Sequence, residues 1–371
     1  MKFHEMSRDG RLDYLKKTAG IADIEAMLRP LAFDDVDMMV ENAIGIMSVP
    51  MGIATNFVIN GSECMIPMAI EEPSVIAAAS KAAKIARTRG GFTAEAGESL
   101  MIGQVQVVGA GKTAAQKIIK SKKQLLATAN SKSKTVAAIG LQVRQVRDLS
   151  PNRMGSMLIV ELVVDTKDAM GANAINTMCE AIAPQVAEIT GGEVVLKILS
   201  NYATKRRVRC KAVFDKEELG GSEIVRRILY AYALAHSDVY RAVTHNKGVM
   251  NGIDAVALAT GQDFRAIEAG AHAYAARDGT YRSLTRWRRT REGDLAGEIE
   301  LPLAVGIVGG VVNAHPTAKL ALQILGAKSA KELAMAMAAA GLAQNLAAIR
   351  ALSAEGIQAG HMRLHGRKFS K

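Results

Sequence analysis

Cysteine and aromatic residues are scarce in this chain. It holds three cysteines among 371 residues, and Cys64, Cys179 and Cys210 stand far apart with no CxxC spacing. That argues against a disulfide framework or a cysteine-based zinc site and fits reduced thiols in a cytoplasmic protein. A single tryptophan and an aromatic share of 4% leave few platforms for stacking nucleic-acid bases. Neither a zinc finger nor an aromatic RNP-like strand is present. No charged-then-apolar signal segment opens the chain. The longest apolar run, residues 301–312, is too short and too rich in glycine to span a bilayer.

What is abundant is aliphatic and basic. Hydrophobic residues make up 49% of the chain, so the core must come from Ala, Val, Leu, Ile and Met. The length predicts two domains. A formal charge of +11 is spread over basic clusters at 120–123, 132–134, 205–211 and 282–291. Nucleic acid, phosphorylated small molecules and a plain solvated face each account for such clusters. The missing stacking residues favour small polyanions over nucleic acid.

The N-terminal part reads as amphipathic helix leading into residues 33–46. Residues 53–59 and 64–70 form a hairpin around Asn60-Gly61, and an alanine-rich helix follows over 74–88 with Pro73 just before it. From residue 98 the pattern becomes strand 102–108, helix 113–129, strand 135–146, strand 157–165, helix 170–189 and strand 193–199. That is the ferredoxin-like βαββαβ order, inserted between two halves of a larger domain. The expected fold is therefore α+β. A large mixed α/β domain is expected over 1–97 and 206–356, a small ferredoxin-like domain over 98–205, and a C-terminal segment over 357–371.

Several segments have the composition of a site. THNKGVMNGIDAVALATGQD at 244–263 sets Lys247 and Asp263 among glycines and amides. A lysine ammonium can stabilise an oxyanion, and a carboxylate can hold it charged and aimed. Gly248, Gly252 and Gly261 suit close approach of backbone to a ligand. In EEPSV, Glu71 and Glu72 follow an apolar strand, which can leave one carboxyl buried and fit to give a proton. A lysine at a helix end, and acids before a helix, are also ordinary structural features. His361 and His365 lie one helical turn apart, but HMRLH lacks the Glu of HExxH and no third ligand is evident, so no metal is expected. DAMGAN at 168–173 opens a helix, where Asp168 can cap while Gly171 and Asn173 leave room for a phosphate. VVGAGKTAA at 107–115 matches GxGxxA after a strand. However, no acid lies about 20 residues on to bind a ribose, so a tight turn is the better reading.

Taken together, the ordered motifs resemble those of the class II 3-hydroxy-3-methylglutaryl-coenzyme A (HMG-CoA) reductases. They are ENAIG at 41–45, NFVING at 56–61, EEPSVIAAAS at 71–80, DAMGANAINTM at 168–178, THNKGVMNGID at 244–254, GIVGG at 306–310 and EGIQAGHMRLH at 355–365. The resemblance implies a four-electron, NAD(P)H-dependent interconversion of HMG-CoA with mevalonate and coenzyme A. It implies Glu72 as proton donor, Lys247 as oxyanion stabiliser, Asp263 as the group tuning both, and His361 as the acid for the departing thiolate. Ser74, Arg241 and Asn251 would hold substrate. The cofactor would lie at Asp168, Met170, Gly171, Ala172 and Asn173. The family is built on dimers with the active site at the subunit interface. Two positions depart from its pattern: His4 stands where an arginine often lies near the coenzyme A phosphates, and Ser133 stands where NADH-using members carry an aspartate. With Lys132 and Lys134 beside it, Ser133 points to NADPH as the preferred cofactor, with NADH also accepted. The chain stops ten residues after His361, whereas the family continues into a C-terminal flap. Another NAD(P)-dependent oxidoreductase and a basic nucleic-acid-binding protein are the alternative readings.

Overall fold

The computed structural model describes residues 2–354 and is of mixed α+β class. Helices α1 (Arg8–Ala19), α2 (Ile24–Met27) and α3 (Phe33–Met39) precede strands β1 (Met51–Ile59) and β2 (Ser62–Ala69). Helix α4 (Val75–Arg87) and strand β3 (Phe92–Ala96) follow. Next come β4 (Leu100–Val108), α5 (Ala114–Lys120), α6 (Lys122–Asn130), β5 (Ala137–Arg147), β6 (Ser156–Asp165), α7 (Ala172–Thr190) and β7 (Glu193–Ser200). Then run β8 (Arg207–Phe214), α8 (Lys216–Leu219), α9 (Ser222–Ser237), α10 (Val239–Ala259) and α11 (Phe264–Ala275). The last elements are β9 (Thr285–Arg289), β10 (Leu295–Pro302), α12 (Gly310–Ala314), α13 (Pro316–Leu325) and α14 (Ala330–Ala354).

The chain forms two compact units. Of the described residues, one comprises those up to Ala96, Val208–Leu301 and those from Ile307 onward; the other comprises Gly97–Arg207 together with Pro302–Gly306. The five-residue return to the second unit is absent from the sequence pattern, which left it in the larger domain. His361, His365 and the expected flap segment lie outside the described residues.

The first unit is built on a six-stranded sheet, β2-β1-β3-β8-β10-β9. Its hairpin turns through Asn60 and Gly61, both at positive φ, as a two-residue turn between twisted strands requires. The few aromatic residues are concentrated here: Phe57, Phe92, Phe214 and Trp287 make successive ring contacts at 5.4, 6.2 and 5.8 Å. Gly297, opposite Trp287, leaves room for the indole, since a Cβ there would lie 2.3 Å from the ring. Helices α10 and α14 cross at backbone distance. A Cβ on Gly252 would meet the Ala340 carbonyl oxygen at 2.6 Å, and one on Gly341 would meet Ile253 at 2.8 Å. By length and composition α14 is apolar enough to cross a membrane, but it is mostly buried, as a core helix is.

The second unit has four antiparallel strands in the order β5-β6-β4-β7. Alternate residues of β4 and β6 (Met101, Val105 and Val107; Val160, Leu162 and Val164) pack with Ile175, Met178 and Ile182 of α7 in one core. The helix predicted over 113–129 is two helices, broken at Ser121.

Candidate active site

In the first unit, Lys247 lies in the middle of α10, not at a helix terminus. The two residues before it fix the helix. His245 is buried, and its Nε2 lies 2.7 Å from Thr285 Oγ1. Asn246 is also buried; its Nδ2 donates to Arg282 O and its Oδ1 accepts from Leu284 N, both at 2.9 Å. Asn345 of α14 closes the network, taking hydrogen bonds from Thr285 Oγ1 and Trp287 Nε1. Burial, with Arg241 adding repulsion, holds the His245 imidazole down at about 3, so it stays neutral. With these side chains turned inward, Lys247 faces out.

Its ammonium donates to Glu72 Oε2 at 3.0 Å. Asn251, one turn along the same helix face, reaches the same oxygen at 3.4 Å. Residues 175 positions apart thus meet in one polar cluster. Glu72 is presented by the turn between β2 and α4, where Ser74 adopts a left-handed conformation (φ 76°) at the N-cap. Its Oγ is buried and has no hydrogen-bond partner among the described residues. A non-glycine residue held in that region, with an orphaned hydroxyl, is the kind of strain that accumulates at ligand sites. Asp263 is placed differently: its Oδ1 caps α11 through Ala266 N at 3.1 Å and pairs with Arg265 at 3.0 Å, and it makes no hydrogen bond to Lys247 or Glu72. Arg241 is half-buried and makes no ion pair among the described residues. Glu71 is exposed. His4 lies at the surface beside Glu5.

Two of the three glycines read as ligand approach have structural reasons of their own. Gly252 lies against α14, Gly261 (φ 66°) turns the chain after α10, and Gly248 faces Ala348 at ordinary contact distance. Burial pushes the Cys64 and Cys179 thiols up to about 12, which leaves them inert. Among the described residues no group of His, Cys, Asp and Glu is placed to hold a metal.

In the second unit, residues 166–171 form a tight turn into α7. Lys167 (φ 50°) and Gly171 (φ 94°) are both left-handed, and a Cβ on Gly171 would strike Thr166 at 2.4 Å. Gly171 caps α7 without a side-chain acceptor, and the first turn of the helix carries no acid. The N–H groups there thus present an uncapped, anion-favouring end. Met170 belongs to this turn, and Ala172 and Asn173 are the first two residues of α7. Ala137 pairs with Asp165, so the turn holding Lys132, Ser133 and Lys134 lies at the same end of the sheet. Ser133 Oγ accepts from Thr135 N and Val136 N, both at 3.2 Å. The GAGKT turn is at the other end of β4, ~26 Å away along the strand, against Thr190 and Gly192.

A tight glycine turn with an open helix end and a lysine–carboxylate pair presented on a fixed helix are the two features to set beside known proteins. The sequence profile described as hydroxymethylglutaryl-coenzyme A reductase matches residues 7–366. The chain belongs to that family. It is 51% identical over 374 residues to the 3-hydroxy-3-methylglutaryl-coenzyme A reductase of Archaeoglobus fulgidus, covering 99% of this chain and 86% of the relative. It is 38% identical over 343 residues to a probable reductase of Borreliella burgdorferi, covering 89% and 77%. The class II reductase of Streptococcus pneumoniae, solved bound to NADPH in open conformations, superposes with a TM-score of 0.89 at 40% identity, over 97% of this chain and 90% of that one. Membership of the HMG-CoA reductases makes the chain an oxidoreductase.

Proposed function

We propose that the chain reduces HMG-CoA to mevalonate and coenzyme A through mevaldehyde, in two successive two-electron steps with NADPH. The observation that carries this reading is the meeting of Glu72, Lys247 and Asn251. Each reduction builds negative charge on a carbonyl oxygen. A fixed ammonium with its partner already in place offsets that charge without reorganising. Glu72, bonded to Lys247, is suited to protonate the alkoxide left by the second reduction, while the first oxyanion re-forms the carbonyl as the thiolate departs. Asp263, near the start of α11, takes the part of tuning both groups. As the carbon–sulfur bond breaks, the thiolate takes its proton from His361, so coenzyme A leaves as the thiol. Ser74, with its unpartnered hydroxyl, and Asn251 hold the substrate, and Arg241 suits the substrate's free carboxylate.

The dinucleotide is assigned to Asp168, Met170, Gly171, Ala172 and Asn173, with Lys132, Ser133 and Lys134 toward the ribose phosphate. The open end of α7 fits a phosphate group. Bound there, NADPH supplies the hydride of each reduction. We assign the protein to the cytoplasm and to a homodimer or an assembly of dimers, with neither membrane nor nucleic acid as partner.

The test is consumption of NADPH that depends on HMG-CoA, followed at the nicotinamide absorbance. Lys247→Ala should lower kcat by roughly a hundredfold or more while leaving substrate binding close to normal. Absence of HMG-CoA-dependent oxidation by the intact chain, or near-normal turnover in the variant, would overturn the reading.

A further inference from the structure

Arg206 is the one buried lysine or arginine among the described residues, and the chemistry above leaves it unused. Removing a guanidinium from water is costly unless its donors are satisfied. Here they go to neutral oxygens: Nη1 donates to Thr166 Oγ1 at 2.8 Å and to Ala169 O at 3.0 Å, and Nη2 donates to Val305 O at 2.5 Å. Its own carbonyl accepts from Leu303 N at 3.1 Å. Burial draws its pKa down to about 10, against the pull of Asp168 and Asp165.

Every one of these partners belongs either to the turn before α7 or to the short return segment Pro302–Gly306. Thr166 is tied in addition to Ser99 O, through both N and Oγ1. Gly306 packs so closely that a Cβ would lie 2.6 Å from Met170 N. A turn with two left-handed residues persists only where its surroundings over-determine it. The guanidinium is the group that joins both sides.

We propose that Arg206 is a positioning residue for the cofactor: it clamps residues 166–170 to residues 303–305 and so sets the N-terminus of α7 for the dinucleotide phosphate. This rests on the reading of residues 168–173 as the NADPH site. Lysine cannot replace the arginine fully, because a single ammonium does not span the oxygens on both sides.

The experiment is fluorescence titration of NADPH, with KM for HMG-CoA and thermal midpoint measured alongside. Arg206→Met should raise the NADPH Kd by about ten- to a hundredfold and leave KM for HMG-CoA within about twofold. Arg206→Lys keeps the buried charge; it should fold and still bind NADPH about tenfold more weakly. Millimolar guanidinium should restore NADPH affinity to Arg206→Ala. Wild-type NADPH affinity in Arg206→Lys, or equal losses for both ligands, would overturn the proposal. Asn173→Asp separates the two readings, since it places an anion at the first turn of α7 on an exposed residue. If that change leaves NADPH binding intact, the site assignment itself fails; if it weakens binding while the Arg206 variants do not, only the clamp fails.

Discussion

Ser133 holds the start of β5 with its hydroxyl oxygen, accepting two backbone N–H groups. An aspartate can accept the same pair in an Asx-type turn, so Ser133→Asp should fold normally while placing a carboxylate beside Lys132 and Lys134. Serine cannot repel a 2′-phosphate and the neighbouring field is positive, so the wild type should use NADPH at least as well as NADH. The substitution should lower kcat/KM for NADPH by about tenfold, a change of ~1.4 kcal/mol. A strong NADH preference in the wild type, unchanged in the variant, would show that this position does not read the ribose. A second residue sets a pH dependence. Asp254 of α10 has a buried Oδ1 without a hydrogen-bond partner among the described residues, and burial together with Glu268 raises its pKa. Glu268 is held low by its bond to His272 at 2.6 Å, and His272 Nδ1 in turn lies 2.6 Å from Tyr281 Oη. A carboxyl raised on folding keeps a proton that the unfolded chain releases. Its contribution to stability is therefore complete below ~4, the unfolded value, and declines as pH rises toward the folded one. Asp254→Asn should flatten the fall in thermal midpoint that begins as pH rises above ~4. An unchanged midpoint–pH curve would rule this out.

At the scale of elements, α10 decides where Lys247 points, and its glycines behave oppositely to one another. A Cβ on Gly252 meets backbone of α14 that cannot rotate away, so Gly252→Ala should cost roughly 1–3 kcal/mol and lower kcat by moving the helix. Gly248 has only Ala348 Cβ at 3.7 Å, so Gly248→Ala should stabilise by about 0.5–1 kcal/mol. Denaturant midpoints of the two variants test the contrast, and a neutral Gly252→Ala would refute the close crossing. The same helix shows what local sequence reveals. Its glycines resembled ligand contacts because a buried helix crossing leaves no mark within one segment; the partner residues 340 and 344 lie nearly a hundred positions away. The strands of the second unit were legible because one face is buried and alternation is clean. By contrast, β9 reads TRWRR and passed for a basic cluster, although Thr285 and Trp287 point into the core. The motif holding Glu72 was visible, but its meeting with Lys247, 175 positions away, was not derivable from spacing. The return of residues 302–306 to the second unit leaves no local mark in the sequence, because its contacts, such as Arg206 with Val305, span 99 positions.

For the molecule as a whole, the first unit carries a dense run of exposed apolar side chains. Ile44 is fully exposed, Met47 92% and Met38 81%, within one stretch that also bares Val40, Ile46 and Val49. On α9 and α10, Tyr230, Leu234, Val239, Tyr240 and Val243 are likewise uncovered. Scattered apolar residues are ordinary, but a run of this density marks an interaction surface. A net charge of +11 works against self-association through repulsion, so the apolar contact must be extensive to prevail. Salt screens that repulsion over ~8 Å at physiological ionic strength, while burial of methyl and methylene groups is little affected. The expected state is therefore a homodimer that tightens, not loosens, as salt rises. Sedimentation velocity at micromolar concentration should find twice the chain mass of 39.4 kDa. Ile44→Asp combined with Met47→Asp should shift the protein to monomer with its secondary structure intact and its activity lost. A wild-type chain that sediments as a fully active monomer would leave this surface to some other partner.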